Sequence, residues 1–359
     1  MRYIGNKAKL LDFIEKVMIT HVGALEDKTF CDLFSGTTTV ARHFKQKCQY
    51  VMSNDLERYS YVLAKNYVEN NETISDEELQ LIERLNCLQG KPGLFTETLS
   101  PYEGCERMFF TVENAQKLDS MRKQIAQWYV TDKITNSTYF FLLASLLESI
   151  DKFANTTGVY GAYLKQFNGR STQDFVLEPA KRYVGQNKGT VYLEDANTLL
   201  PKLSGDILYL DPPYNARQYA GNYHILNYIV NNKVDIKLNK EGEESKTGLP
   251  NDYNKSPYSQ KSGAKKAFED LLSKASGFKW VFLSYNDEGI LSLEDIKSVM
   301  EKYGEYHLTD KNHLRYNSGG GKVKEEEEDA DKGDDKGDEE DKTPKKKVIE
   351  YVHVLKIKE

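Results

Sequence analysis

The sequence predicts an α/β fold in which a mostly parallel sheet is interrupted by a mostly helical insertion. Three observations carry this expectation. Short apolar runs alternate with helix-spaced patterns over residues 29–67, a glycine turn separates the first strand from its helix, and long helical patterns replace the alternation from about residue 69 to 183. With 359 residues the chain is long enough for two structural units, or one large α/β unit carrying an insertion.

The elements follow in order. Lys9 to Val22 places Leu10, Leu11, Phe13, Ile14, Val17 and Met18 close to helical spacing. Thr29 to Phe34 reads as a buried strand, Ser35 to Thr39 as a tight turn, Val40 to Lys47 as a helix, Tyr50 to Asp55 as the next strand and Tyr59 to Tyr67 as the next helix. The insertion, residues 69–183, includes helical patterns at Asn114 to Tyr129 and Ser137 to Phe153. Strand signals return at Gly189 to Asp195, Asp206 to Asp211 and Lys279 to Tyr285, and Ser292 to Tyr303 is an amphipathic helix. Between them Val234 to Ser262 reads as a long polar loop able to close over a substrate. The organisation expected is therefore a split catalytic unit, 1–68 and 184–359, around the insertion.

Charge is uneven along the chain. Lys324 to Lys347 holds 12 acidic and 7 basic residues, so five of the six net negative charges belong to that segment. Residues 318–347 have almost nothing with which to build a core and read as a disordered acidic loop, followed by a last strand at Val348 to Ile357. At 39% hydrophobic and 29% charged, with 9 prolines, the composition is that of an ordinary globular chain. Its longest apolar stretch, Tyr139 to Ile150, is too short to span a bilayer, so no membrane association is expected. The opening residues lack the apolar core of a signal peptide, and the four cysteines form no C-x-x-C pair, which together point to the cytoplasm and to no metal site.

The sharpest chemical signal is Asp211-Pro212-Pro213-Tyr214 at the end of a buried strand. Ligands bind at that end of an open α/β sheet, and consecutive prolines fix the backbone while removing two N–H donors. A carboxylate beside a fixed carbonyl suits the two protons of an amino group, and the tyrosine offers a face for a planar base. The second signal is Asp32-Leu33-Phe34-Ser35-Gly36, where glycine lets the backbone approach a ligand. Asp55 follows Gly36 by 19 residues at the end of the next strand, near the spacing at which an acid binds ribose hydroxyls. The G-x-G-x-x-G of dinucleotide enzymes is absent, which favours a nucleoside cofactor without a pyrophosphate, such as S-adenosylmethionine.

Together with Asn54-Asp55 and the opening Arg2-Tyr3-Ile4-Gly5-Asn6-Lys7, these motifs make the chain resemble the Dam-like, alpha-type N6-adenine DNA methyltransferases of restriction-modification systems. The resemblance implies a Rossmann-like methyltransferase sheet, S-adenosylmethionine as cofactor, duplex DNA as substrate, and a cognate restriction endonuclease as the partner such systems carry. It implies catalytic roles for Asp211, Pro212, Pro213 and Tyr214. It also implies cofactor contacts at Tyr3 and Lys7, at Asp32, Phe34, Ser35 and Gly36, at Asp55 and Leu56, and at Asp195 and Ala196. Thr38 stands where that family has its second glycine. The insertion is expected to read DNA, with Lys165, Arg170, Arg217, Gln218 and Lys261 as candidate contacts. His224 is expected to be structural, and Tyr223 and Tyr228 to pack. A methyltransferase for RNA adenine or a protein glutamine, or a catalytically silent DNA-binding partner, remains an alternative on motif grounds.

Overall fold

The computed structural model describes residues 1–314 and 347–358, apart from 240, 252 and 254. Its centre is a seven-stranded sheet: β1 (Thr29–Asp32), β2 (Tyr50–Asn54), β3 (Thr190–Tyr192), β4 (Gly205–Leu210), β5 (Phe278–Asn286), β6 (Gly304–Leu314) and β7 (Lys347–Ile357). The spatial order is 3-2-1-4-5-7-6. Strands β1 to β5 pair in parallel, while β7 runs antiparallel between β5 and β6. The order reverses between β1 and β4, and such a switch point leaves a crevice at the strands' carboxyl ends.

Period-two alternation splits the sheet between two cores. Ile207 and Tyr209 of β4 join Phe30, Val51, Phe282 and Val352 in a cluster shared with helices Leu11–Val22 and Arg58–Ala64. Leu208 and Leu210 face the other way with Cys31, Met52, Val281 and Leu283, against helices Ala264–Ser273 and Leu293–Met300. β4 is thus covered on both faces, which is why it reads as an unbroken apolar run.

The inserted segment carries helices Asp76–Asn86, Leu94–Leu99, Val112–Val130 and Asn136–Phe153. Ser75, Thr111 and Thr135 cap three of them by accepting a backbone N–H. Their apolar faces (Leu81, Leu118, Phe141, Leu146) belong to the same cluster as the first face of the sheet. The insertion also holds the start of the chain: the Arg2 backbone N–H and guanidinium both donate to Asp151.

Two elements differ from the sequence expectation. The polar segment 304–314 is an edge strand, in register with β7 over eleven residue pairs; with one side open to water it lacks the apolar run that marks a buried strand. The interval 234–262 holds two short bridges, Ile236 to Pro250 and Leu238 to Glu244, and is tied down by Arg107, which donates to Glu244 and Ser245, and by Tyr228, which donates to Gly248. The acidic segment 318–347 lies outside the described residues except for Lys347, which begins β7. All four cysteines are free thiols. Among the described residues no helix is long and apolar enough to cross a membrane.

Candidate active site

The loops leaving β1, β2, β3 and β4 converge on one cavity outside the carboxyl ends of the strands. Ten sequence candidates line it: Tyr3, Lys7, Asp32, Phe34, Ser35, Gly36, Asp55, Leu56, Asp195 and Ala196. Asp211, Pro213 and Gln218 border the same space. Pro212 and Tyr214 are buried and are not among its lining residues.

The glycine turn is fixed by polar side chains at the strand ends. The Ser35 hydroxyl donates to the Asp32 carbonyl at 2.9 Å and meets the Ser53 hydroxyl at 2.6 Å. Asp55 accepts the Gly36 N–H at 2.7 Å and the Glu57 N–H at 2.9 Å. Asn54 donates to the carbonyls of Leu33 and Glu194 and accepts the Glu194 N–H, tying three strand ends together. Gly36 has φ +49°, and a Cβ there would lie 3.0 Å from the Tyr3 ring. Thr38 also adopts a positive φ, 60°, and is fully buried. The turn closes with a β-branched residue in a left-handed conformation, at a cost of about 1–3 kcal/mol.

Tyr3 is held from three sides. Its ring stacks on Tyr223 at 4.4 Å, its hydroxyl meets that of Tyr59 at 2.8 Å, and Ile4 N–H donates to the Tyr223 hydroxyl. This fastens the opening segment to the stretch after Asp211-Pro212-Pro213-Tyr214 and so delivers Lys7. The Lys7 ammonium lies 3.2 Å from Asp211 Oδ1, 2.8 Å from Glu350 Oε1 and 5.1 Å from the centre of the Tyr214 ring. It stays protonated: its two acidic neighbours raise its pKa and outweigh burial, which alone would lower it.

Burial pushes Asp211 up to about 7, Lys7 works against this and Glu350 adds to it. Asp32 is also raised, mainly by burial and next by Asp211. Asp32 accepts the Ala41 N–H with Oδ2 and leaves Oδ1, buried, without a hydrogen-bond partner. An unpaired acceptor at the cavity wall is costly unless a ligand donor meets it.

These positions match a known family: residues 3–299 align with the D12 class N6 adenine-specific DNA methyltransferases. The chain belongs to this family. It is 40% identical over 356 residues to the Type II methyltransferase M.NlaIII of Neisseria lactamica, with 99% of each chain covered. Identity to M.CviAII of Paramecium bursaria Chlorella virus 1 is 36%, covering 88% of this chain and 92% of that one. Identity to M.FokI of Planomicrobium okeanokoites is 40%, over 85% of this chain and 47% of that one. A methyltransferase of this class works with a methyl donor of the S-adenosylmethionine type.

Several lining residues of this D12 class enzyme escape sequence reasoning. Tyr258 meets Phe34 edge to face at 5.2 Å, and Glu57, Tyr219 and Pro257 also line the cavity. Only folding of the interval after Val234 brings Tyr258 there. Of the candidate DNA contacts, Lys165, Arg217 and Lys261 are exposed. Arg170 donates to the carbonyls of Ala154 and Thr156, and the Gln218 amide bonds Ser256 through both its nitrogen and its oxygen, so both also have structural work. His224 is buried with its two ring nitrogens each 2.9 Å from a backbone carbonyl, of Gly221 and of Thr247, and Tyr223 and Tyr228 are buried.

Gly36→Ala is expected to weaken cofactor binding at least tenfold and to cost about 1–3 kcal/mol of stability, because Tyr3 is too tightly held to yield. Calorimetric titration with S-adenosylhomocysteine, beside a thermal melt, checks both.

Proposed function

We propose that the enzyme moves the methyl group of S-adenosylmethionine to the N6 amine of an adenine swung out of duplex DNA, as the modification enzyme of a cytoplasmic restriction-modification system. A restriction endonuclease of the same specificity is the partner this implies. The observation that carries the reading is the convergence of Asp211 and ten cofactor-contact candidates on one cavity of a chain in the D12 class.

The donor set suits the cofactor. Asp32, with its unpaired oxygen, offers an acceptor to an amino group, Asp55 an acidic edge to ribose hydroxyls, and Phe34 and Tyr258 an apolar wall to a purine. When bound, S-adenosylmethionine supplies an electrophilic methyl on a positively charged sulfur. Asp211 and the Pro212 carbonyl accept the two N6 protons, which draws the nitrogen lone pair out of conjugation and aims it. Asp211 must be a carboxylate for this role, and it is placed to take the proton that the amine sheds after transfer. Catalysis is then positioning and electrostatics. An amine inside a duplex cannot reach this buried carboxylate, so the base is extruded and stacked against Tyr214. The insertion, residues 69–183, and the exposed Lys165, Arg217 and Lys261, with Arg170 and Gln218, are assigned to the duplex.

The test is incubation of the protein with labelled S-adenosylmethionine and, separately, duplex DNA, single-stranded DNA, RNA and protein extract. N6-methyladenine in duplex DNA is the expected product. Label confined to RNA or protein would overturn the substrate assignment, and cofactor binding without any transfer would overturn the activity.

A further inference from the structure

Glu350 is 1% exposed and stands near the start of β7, beyond the segment 3–299 that aligns with the family. Because β7 runs against its neighbours, its beginning lies at the carboxyl edge of the parallel strands: Glu350 pairs with Asn286, the last residue of β5. Ser284, two residues back on β5, donates its hydroxyl to Glu350 Oε1 at 2.6 Å. The same oxygen receives Lys7 at 2.8 Å, and Lys7 reaches Asp211 at 3.2 Å. One ammonium therefore bridges the catalytic carboxylate and a second carboxylate behind it. A buried ion pair adds little or nothing to stability compared with an apolar pair of similar volume, so fold stability does not account for an acid at this position.

Resting on the reading of Asp211 as the N6 acceptor, we propose that Glu350 is a positioning residue for methyl transfer: it anchors Lys7 beside Asp211 and sets how far Lys7 neutralises that carboxylate. With Glu350 charged, Lys7 is shared between two acids, and the three groups together carry one net negative charge. Among the described residues, the other ionisable groups around Asp211 are Asp32 on β1 and the phenols of Tyr209 on β4, Tyr214, and Tyr219 beyond it. His353 on β7 and Tyr214 also feel the Glu350 charge. Among all of these, Lys7 alone is a cation held between the two carboxylates. Glu350 raises Asp211 and Lys7 lowers it. Removing the Glu350 charge therefore removes an upward push and releases the whole of Lys7 to Asp211. Both changes move Asp211 downward, so its carboxylate form persists to lower pH.

The experiment is the pH profile of methyl transfer to DNA for wild type, Glu350→Gln and Glu350→Asp, with a melt of each. Glu350→Gln keeps an oxygen for Lys7 and Ser284 and should move the acid limb of the profile down by about one pH unit, the scale of one charge a few ångströms away. Glu350→Asp keeps the charge but withdraws it by one methylene, and should give a smaller shift in the same direction. If only the Asp variant folds, its intermediate shift carries the test alone. An acid limb that stays in place, or moves up, overturns the proposal. Asp211→Asn, measured in parallel, separates the two readings: if it retains transfer, Asp211 is not the acceptor, whatever Glu350 does.

Discussion

Asp211→Ala is expected to abolish methyl transfer, by at least about a hundredfold to a thousandfold, while cofactor affinity stays within severalfold. The carboxylate is aimed at the amine, whereas the cofactor contacts proposed at Tyr3 in the opening segment and at Asp32, Gly36 and Asp55 beside other strand ends are fixed by bonds that do not involve Asp211. The fold should survive the change. Lys7 keeps Glu350 as its counter-ion at 2.8 Å, and loss of a buried carboxylate already pushed up to about 7 removes a strained charge rather than a stabilising one. Single-turnover methylation and equilibrium cofactor binding, measured on the same preparation, separate the two effects. A transfer rate within tenfold of wild type would remove Asp211 from the chemistry.

Much of this site is legible in the sequence because its pieces are local. Asp32 to Gly36, Asp55 and Asp211 to Tyr214 each lie at or just beyond the end of a strand, and the strand's apolar run points to the loop that leaves it. Glu350 is different. Val348, Val352 and Val354 share its side of β7, so an acid among three buried valines is a signal of a partnered charge. Nothing in the local pattern says which partner, since the answer depends on β7 folding back between β5 and β6 and on the opening segment being fastened by Tyr223. Lys7 shows the same limit. Its motif implies a cofactor contact, but its place between two acids is set by elements hundreds of residues away. The edge strand β6 escapes for the opposite reason: backbone pairing with β7 holds it, and its side chains carry little of the apolar signal.

Lys7→Met should then be the most damaging single change at this site, and its damage should depend on pH in a way ordinary core substitutions do not. Lys7 is 4% exposed, and methionine fits its volume but takes away the ammonium that Asp211 and Glu350 share. Removing one partner from such a buried cluster costs about 3–5 kcal/mol. The sign of the pH dependence follows from the direction of the shifts. Without Lys7, Asp211 keeps the upward push of burial and of Glu350 and loses the group that pulls it down, so the folded state binds its proton more tightly than the unfolded chain. The penalty is relieved as pH falls and full as pH rises through the folded values. The melting deficit should therefore be larger at pH 8 than at pH 5, and an equal deficit at both would show that Lys7 acts by packing alone. The double variant Lys7→Met/Glu350→Gln should recover most of the stability at pH 8, since one of the two carboxylates that shared Lys7 has then lost its charge. It should not recover transfer at neutral pH, because Asp211 is then buried with no cation and held protonated; activity should return only as pH is raised. Full activity of the double variant at pH 7 would mean that Asp211 needs no counter-ion to accept the amine.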